Sequence, residues 1–324
     1  MNKITIKAVD NSQFDALLFP VSNPIATIHI LHGMAEHCLR YESFAAALND
    51  AGYQVVMHNH RGHGGRLPVG HYGDAGINGG GWQLLMDDIR SVQDTVCGEE
   101  PLVLLGHSMG SFIAQGYAIR YPQRLAALVL SGSNHQPPLM VSAGKQVARL
   151  LKVFQGQRHL SGVMDTLSFG EFNRRFRPNR TAFDWLSRDE QQVDRYIADA
   201  HCGHPVSLQL WIDLLSGLQE IADKKNLRHI PAQLPVLIFG GDQDPVGGMG
   251  KGLPLLQQHF AQSGHDRVTL RLYPEGRHEM LNETNATQVF TDIIHWLKEA
   301  VWKPSPIAPS QKSPSENAAN ACIK

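Results

Sequence analysis

Apolar and polar positions alternate along ITIKAVD (4–10) and again along FDALLF (14–19), after Asn11-Ser12, which predicts an N-terminal hairpin. The pattern then changes. ATIHILHG (26–33), YQVVMHN (53–59), LVLL (102–105) and LAALVLSG (125–132) are near-continuous apolar runs. Between them RYESFAAALNDAG (40–52), GWQLLMDDIRSVQDTV (81–96) and a stretch from about Met109 to Arg120 carry helical spacing. Strands that are apolar on both faces and alternate with helices predict an α/β protein with a mostly parallel sheet covered on both sides.

That rhythm stops after residue 132. From 133 to about 231 no run reads as a strand, and short helices are predicted over 139–154, 167–176, 189–200 and 207–226. It resumes with LPVLIFGG, a helix over 252–264, VTLRLYP (268–274) and a helix over 287–301. The expected organisation is therefore a core in two pieces, 1–132 and 232–302, split by a helical cap over 133–231. The tail, 303–324, is rich in Pro and Ser and is expected to be disordered.

Composition narrows the function classes. A formal net charge of -1 gives no basic surface for nucleic acid, and none is expected as a partner. Cys38, Cys97, Cys202 and Cys322 are widely spaced, with no C-x-x-C pair, and read as free thiols in a reducing compartment. The N-terminus lacks the apolar centre of a signal peptide, and no run approaches the length of a membrane span. A cytoplasmic protein is expected, with peripheral membrane contact through the cap left open.

The chemistry concentrates at LLGHSMGS, where a predicted strand meets a predicted helix. G-x-S-x-G at such a corner is a nucleophile elbow. Gly106 and Gly110 let the chain turn tightly, His107 lies between, and Ser108 is thrust out above the sheet. The first helical N–H groups point at the space beside its hydroxyl and could hold a developing oxyanion. A serine nucleophile needs a base steadied by an acid. His278, in RLYPEGRHEML, follows the strand 268–274, and Asp244, in GGDQDP, follows LPVLIFGG, so both are expected on the rim that carries Ser108. Asp242 is the competing acid, closer to the strand end. His295, on the last amphipathic helix, is expected to be packed. A second oxyanion donor is sought in LHGMAEH, where His32 and Gly33 shape a turn and the amide of Met34 is the candidate, beside that of Met109. The run HNHRGHGGR (58–66) spaces three histidines as H-x-H-x-x-H, but Gly62 stands where a binuclear metal site needs a carboxylate, so loop shaping is expected and no metal.

In this order LHGMAEHCLRYE, HNHRGHGGR, LLGHSMGS, GGDQDP and YPEGRHEMLNE resemble the α/β-hydrolase superfamily, and within it the monoacylglycerol lipase and bacterial lysophospholipase group of serine aminopeptidase-like hydrolases. The resemblance spans about 24–301 and extends to FDWLSRDEQQVDRYIADAHCG (183–203). Ala200 departs from it, standing where the family commonly has proline. The resemblance implies Ser108 as nucleophile, Asp244 as acid, His278 as base, oxyanion amides at Met34 and Met109, and a lid over the site. It implies hydrolysis of a single-chain lipid ester through an acyl-enzyme, with no cofactor. Leu139, Met140, Leu150, Leu151, Phe154, Trp211 and Leu214–Leu215 are expected to pack on the core or line an acyl tunnel. Two alternatives remain: a proline-iminopeptidase-like peptidase, whose cap acids Glu171, Asp184, Asp189, Glu190 and Asp194 would bind a free amino terminus, and a non-catalytic binding protein on the same fold.

Overall fold

The computed structural model describes residues 1–67, 73–75, 80–135 and 137–302. The predicted tail, 303–324, with Cys322, lies outside the described residues.

The alternating N-terminal segments form β1 (Asn2–Lys7) and β2 (Gln13–Phe19), paired antiparallel with Ile4 opposite Ala16. The apolar runs form β3 (Thr27–Leu31), β4 (Gln54–His58), β5 (Leu102–His107), β6 (Ala127–Ser131), β7 (Val236–Gly241) and β8 (Val268–Tyr273). All eight belong to one sheet in the order β1-β2-β4-β3-β5-β6-β7-β8, parallel from β4 through β8. Every residue of β3, β5, β6 and β7 is buried. Their unbroken hydrophobicity follows from helices on both faces. Helix α1 (Glu42–Asp50) and the C-terminal helix over 286–302 cover one face, where Phe44 meets Phe290. Helices α2 (Gly81–Val96) and α3 (Met109–Arg120) cover the other.

Strand order reverses between β3 and β5, neighbours whose register sets Leu31 beside Gly106. At such a reversal the loops leaving two adjacent strands diverge and open a crevice. The two loops here are LHGMAEH and the serine corner.

Between β6 and β7 the described residues contain no strand of the sheet. They form α4 (Pro138–Gln155), α5 (Gly162–Phe169), α6 (Glu190–Ala198), α7 (Leu208–Ile221) and α8 (Lys224–Leu227). Two expectations are corrected. The helix predicted over 167–176 breaks at Gly170, a poor helix former, and continues as a short 3₁₀ turn over 172–176. The helix predicted over 207–226 splits because the Asp223 side chain accepts from the Lys225 N–H and starts a new helix. After β7 come α9 (Gly252–Gln262), β8, and α10 (Ala286–Trp302). His295 on α10 is exposed rather than packed, and faces Glu299 one turn on.

Helix α4 departs furthest from expectation. It packs on α7 through Val141, Gly144 and Ala148, while Leu139, Met140, Leu150 and Phe154 point to solvent, neither in the core nor along a tunnel. Leu139 is 86% exposed and Phe154 79%. Trp211, Leu214 and Leu215 of α7 are buried as expected, and Leu151 is half-buried.

Candidate active site

Ser108 is the corner between β5 and α3. Its φ of 51° and ψ of -121° lie where non-glycine residues carry strain, and its N–H donates to the Ser131 carbonyl (2.9 Å) of the neighbouring strand. Close approach requires the flanking glycines. A β-carbon on Gly106 would come within 2.7 Å of Ser111 Cα, and one on Gly110 within 2.6 Å of the His32 carbonyl oxygen. The corner is thus wedged against the loop after β3. Among buried neighbours, Ser108 is half-buried. Met109 opens α3, so its N–H has no acceptor within the helix.

On the next strands of the rim, Asp244 leaves β7 and His278 leaves β8. His278 Nδ1 lies 3.0 Å from both carboxylate oxygens of Asp244, and both residues are buried. Asp244 Oδ1 also accepts from the Val246 N–H (2.8 Å), which fixes the carboxylate's orientation. Burial presses the His278 pKa downward. The charge and hydrogen bond of Asp244, joined by the charges of Glu279 and Glu36, outweigh it, and the net shift is upward. Asp242 instead accepts from the Glu275 N–H (2.8 Å) and ties the β7 and β8 loops together.

The histidine stands close to the serine corner. The His107 and His278 rings are 4.6 Å apart. A β-carbon on Gly132 would lie 3.0 Å from His278 Cε1 and 2.9 Å from His107 Cε1, while one on Gly33 would lie 3.2 Å from Ser108 Cβ. His107 Nδ1 pairs with Ser131 Oγ (3.1 Å), and burial keeps its ring neutral. The aromatic rings of Trp185, Phe172, Phe169 and Trp211 run in series from His278 into the inserted helices.

Met34 is half-buried in the loop after β3. His32 shapes that loop: its Nδ1 pairs with the Gly33 carbonyl (2.7 Å) and its Nε2 accepts from the His60 N–H (2.9 Å). The H-x-H-x-x-H run therefore has a scaffolding part. His58 pairs with His29 (2.9 Å), His63 with the Arg61 carbonyl (3.0 Å), and burial holds all three of its rings neutral.

Sequence reasoning missed what stands behind this loop. Glu36 Oε1 accepts from the Gly33 N–H and from the Tyr41 hydroxyl (2.7 Å). Arg40 lies 3.6 Å from the other Glu36 oxygen and grips Glu279, the residue after His278, with two hydrogen bonds of 2.9 and 2.6 Å. Burial pushes the Glu36 pKa up; Arg40 pulls it back only in part, leaving it at about 7. The signal was present as an acid and a base four positions apart, E-x-x-x-R, with the acid three residues after the glycine.

The inserted segment around α6 grips both loops. Trp185 and Leu186 carbonyls accept from the His278 and Glu279 N–H groups (3.4 and 2.8 Å). Arg277 donates to the Asp184 and Ser187 carbonyls, and Arg188 pairs with Glu283 (3.0 Å). Tyr196 Oη and the Gly203 N–H both donate to the Ala35 carbonyl (3.0 and 2.9 Å). The acids considered for a peptidase pocket have local partners. Asp184 accepts from Thr181, Asp189 caps α6, Glu171 pairs with Arg174, and Glu190 and Asp194 face Arg180.

The model of the family described as serine aminopeptidase, S33, matches residues 22–285. The chain belongs to the serine aminopeptidase S33 family. It is 27% identical over 289 residues to a monoacylglycerol lipase of Mycolicibacterium smegmatis, covering 86% of this chain and 90% of that one. It is 29% identical over 287 residues to the monoglyceride lipase of Rattus norvegicus, covering 85% and 82%. A thermostable carboxyl esterase from Bacillus coagulans, solved in complex with glycerol, superposes with a TM-score of 0.84 at 26% identity over 93% of this chain and 98% of that one. The S33 assignment and this superposition establish the α/β-hydrolase fold that the resemblance implied, built on the parallel sheet that the strand pattern predicted.

Proposed function

We propose that this chain is a serine ester hydrolase acting on a single-chain lipid ester, a monoacylglycerol or lysophospholipid. The observation that carries the reading is the buried His278–Asp244 pair beside a serine held in a strained corner. In this reading His278 takes the Ser108 proton as Ser108 Oγ attacks the ester carbonyl. The amides of Met34 and Met109 receive the oxyanion. The alcohol departs with the proton, and water resolves the acyl-enzyme by the same steps. Asp244 holds the imidazole in the tautomer with Nε2 free, and stabilises the imidazolium formed at each step. The lipase and esterase names of the relatives, and the aromatic series leading away from His278, support an acyl chain as the group accommodated.

The inserted helices, residues 133–231, act as a lid in this reading. Helix α4 adds an outward apolar face flanked by Lys145, Arg149 and Lys152 and carries no acid. Such a face suits the surface of a membrane with anionic lipids. No helix among the described residues is long and apolar enough to cross one.

The test is hydrolysis of a panel of monoacylglycerols, lysophospholipids, p-nitrophenyl esters of rising chain length and aminoacyl amides, together with labelling by a fluorophosphonate. Ser108→Ala is expected to abolish labelling and lower the rate by at least about a thousand-fold. Activity confined to acetate esters, or faster turnover of amides, overturns the lipid reading. Labelling that survives Ser108→Ala overturns the nucleophile.

A further inference from the structure

We propose that His37, Asp199 and Cys202 form a binding site for a zinc-class divalent ion, and that the bound ion slows turnover by tying the loop after β3 to the inserted segment. A ring nitrogen of His37, a carboxylate oxygen of Asp199 and the Cys202 Sγ all lie within 4.8 Å of one another. The residues come from the loop after β3 and from the inserted segment, 162 positions apart for His37 and Asp199, so no motif in the chain announces them.

The ligand set selects the ion. An imidazole, a carboxylate and a thiol together favour zinc or cobalt over magnesium or calcium, which prefer oxygen alone. Tetrahedral zinc, with bonds of about 2.0 to 2.3 Å, places ligand atoms roughly 3.3 to 3.7 Å apart. His37 Nε2 and Asp199 Oδ2 are 2.7 Å apart, so side-chain rotation of under about 1 Å admits the ion between them. On binding, their hydrogen bond is replaced by two metal bonds, the Cys202 thiol proton passes to solvent as the metal–sulfur bond forms, and water takes the fourth position.

The backbone presents these ligands. The Cys202 N–H donates to the Asp199 carbonyl (3.0 Å), closing a turn that sets both side chains on one side. Asp199 Oδ1 accepts from the His201 N–H (2.8 Å), which leaves Oδ2 directed at His37. Support of this kind for a ligating oxygen is typical of metal sites. Arg40 is the neighbouring cation that would oppose a metal. Its charge is already met by Glu279 and Glu36. His37 stands three residues beyond Met34, and the Gly203 N–H, next to Cys202, holds the Ala35 carbonyl. An ion here therefore stiffens the loop that carries the proposed oxyanion amide.

Cobalt supplies a readout independent of any substrate. Titration of metal-free protein with cobalt chloride is expected to produce a thiolate-to-cobalt charge-transfer band saturating at one equivalent. The band is lost in Cys202→Ser and retained in Cys97→Ser. Zinc is expected to raise the melting temperature of the wild type and to slow its turnover of a soluble ester. Its affinity falls by more than about a hundred-fold in Asp199→Asn and His37→Gln. Melting of each variant without metal confirms that it folds. Absence of the cobalt band, or a band that survives Cys202→Ser, overturns the site. A wild type that binds zinc with unchanged turnover overturns the inhibitory effect, whereas failure on every ester with the cobalt band intact counts against the proposed function alone.

Discussion

Asp242 and Asp244 share one loop, and geometry separates them: one braces a turn, the other faces an imidazole. Asp244→Asn is expected to lower kcat by about three to four orders of magnitude, because an amide stabilises the wrong tautomer of His278. Asp242→Asn keeps an oxygen for the Glu275 N–H, and its kcat should stay within a few-fold. A reversed ranking of the two variants would reassign the acid. The pH profile follows from the same contact. The base must be neutral, and Asp244 favours the charged imidazole, so kcat/KM should fall on the acid side with an apparent pKa at or above the ordinary histidine value of about 6.5. Glu36 titrates near the same range at about 7. Measuring the profile in Glu36→Gln isolates the histidine, and an acid limb centred well below the ordinary value would argue against His278 as base. Ser108, His278 and both aspartates were legible in the sequence because each is marked by its own neighbours: a glycine on either side, or a strand just before. The sequence already favoured Asp244 over Asp242, and three dimensions add the contact of Asp244 with His278.

At the scale of the element, the loop after β3 shows where local reading stops. His32-Gly33 was visible as a turn and Glu36 holds it from nearby, but what braces both residues is distant in sequence. Arg40 reaches Glu279 across 239 positions, and His32 rests on the backbone of His60. No periodicity encodes such contacts. The same limit explains α4, whose helical spacing was plain but whose outward side only the packing on α7 reveals. Glu36→Ala would strand the buried Gly33 N–H and Tyr41 hydroxyl, at about 1 to 3 kcal/mol each. We expect a lowered melting temperature and a kcat reduced about ten-fold or more, with Glu36→Gln, which keeps the accepting oxygen, close to wild type. Equal losses in the two variants would mean that charge, rather than the acceptor, matters at this position.

For the whole molecule, the strand and helix rhythm revealed the sheet, its interruption and its completion, since buried parallel strands have an unmistakable composition. The surface is less legible. Exposed apolar residues on α4 read from sequence as core, because hydrophobicity is the same signal in both places. Replacing Leu150 and Phe154 together by serine removes about 1.5 to 3 kcal/mol per side chain from insertion into a bilayer. Binding to anionic vesicles and hydrolysis of vesicle-borne ester should drop by about a hundred-fold or more, the order set by the two side chains together. Turnover of a water-soluble ester should hold steady. Parallel loss on both substrates would point to misfolding or a role in the crevice.

In the proposed lid reading, the grip of residues 183–203 on the His278 loop and on the loop after β3 limits how an entrance would work. If that segment swung outward as part of a hinged door, it would drag the backbone of His278 and Ala35 with it and dismantle the machinery it admits substrate to. In the proposed lid reading any opening would fall to the α4–α5 half, which leaves the α6 half as doorframe: a passage that would widen on one side only, through which a long acyl chain would enter past Phe169 while its reacting end met groups that had not moved.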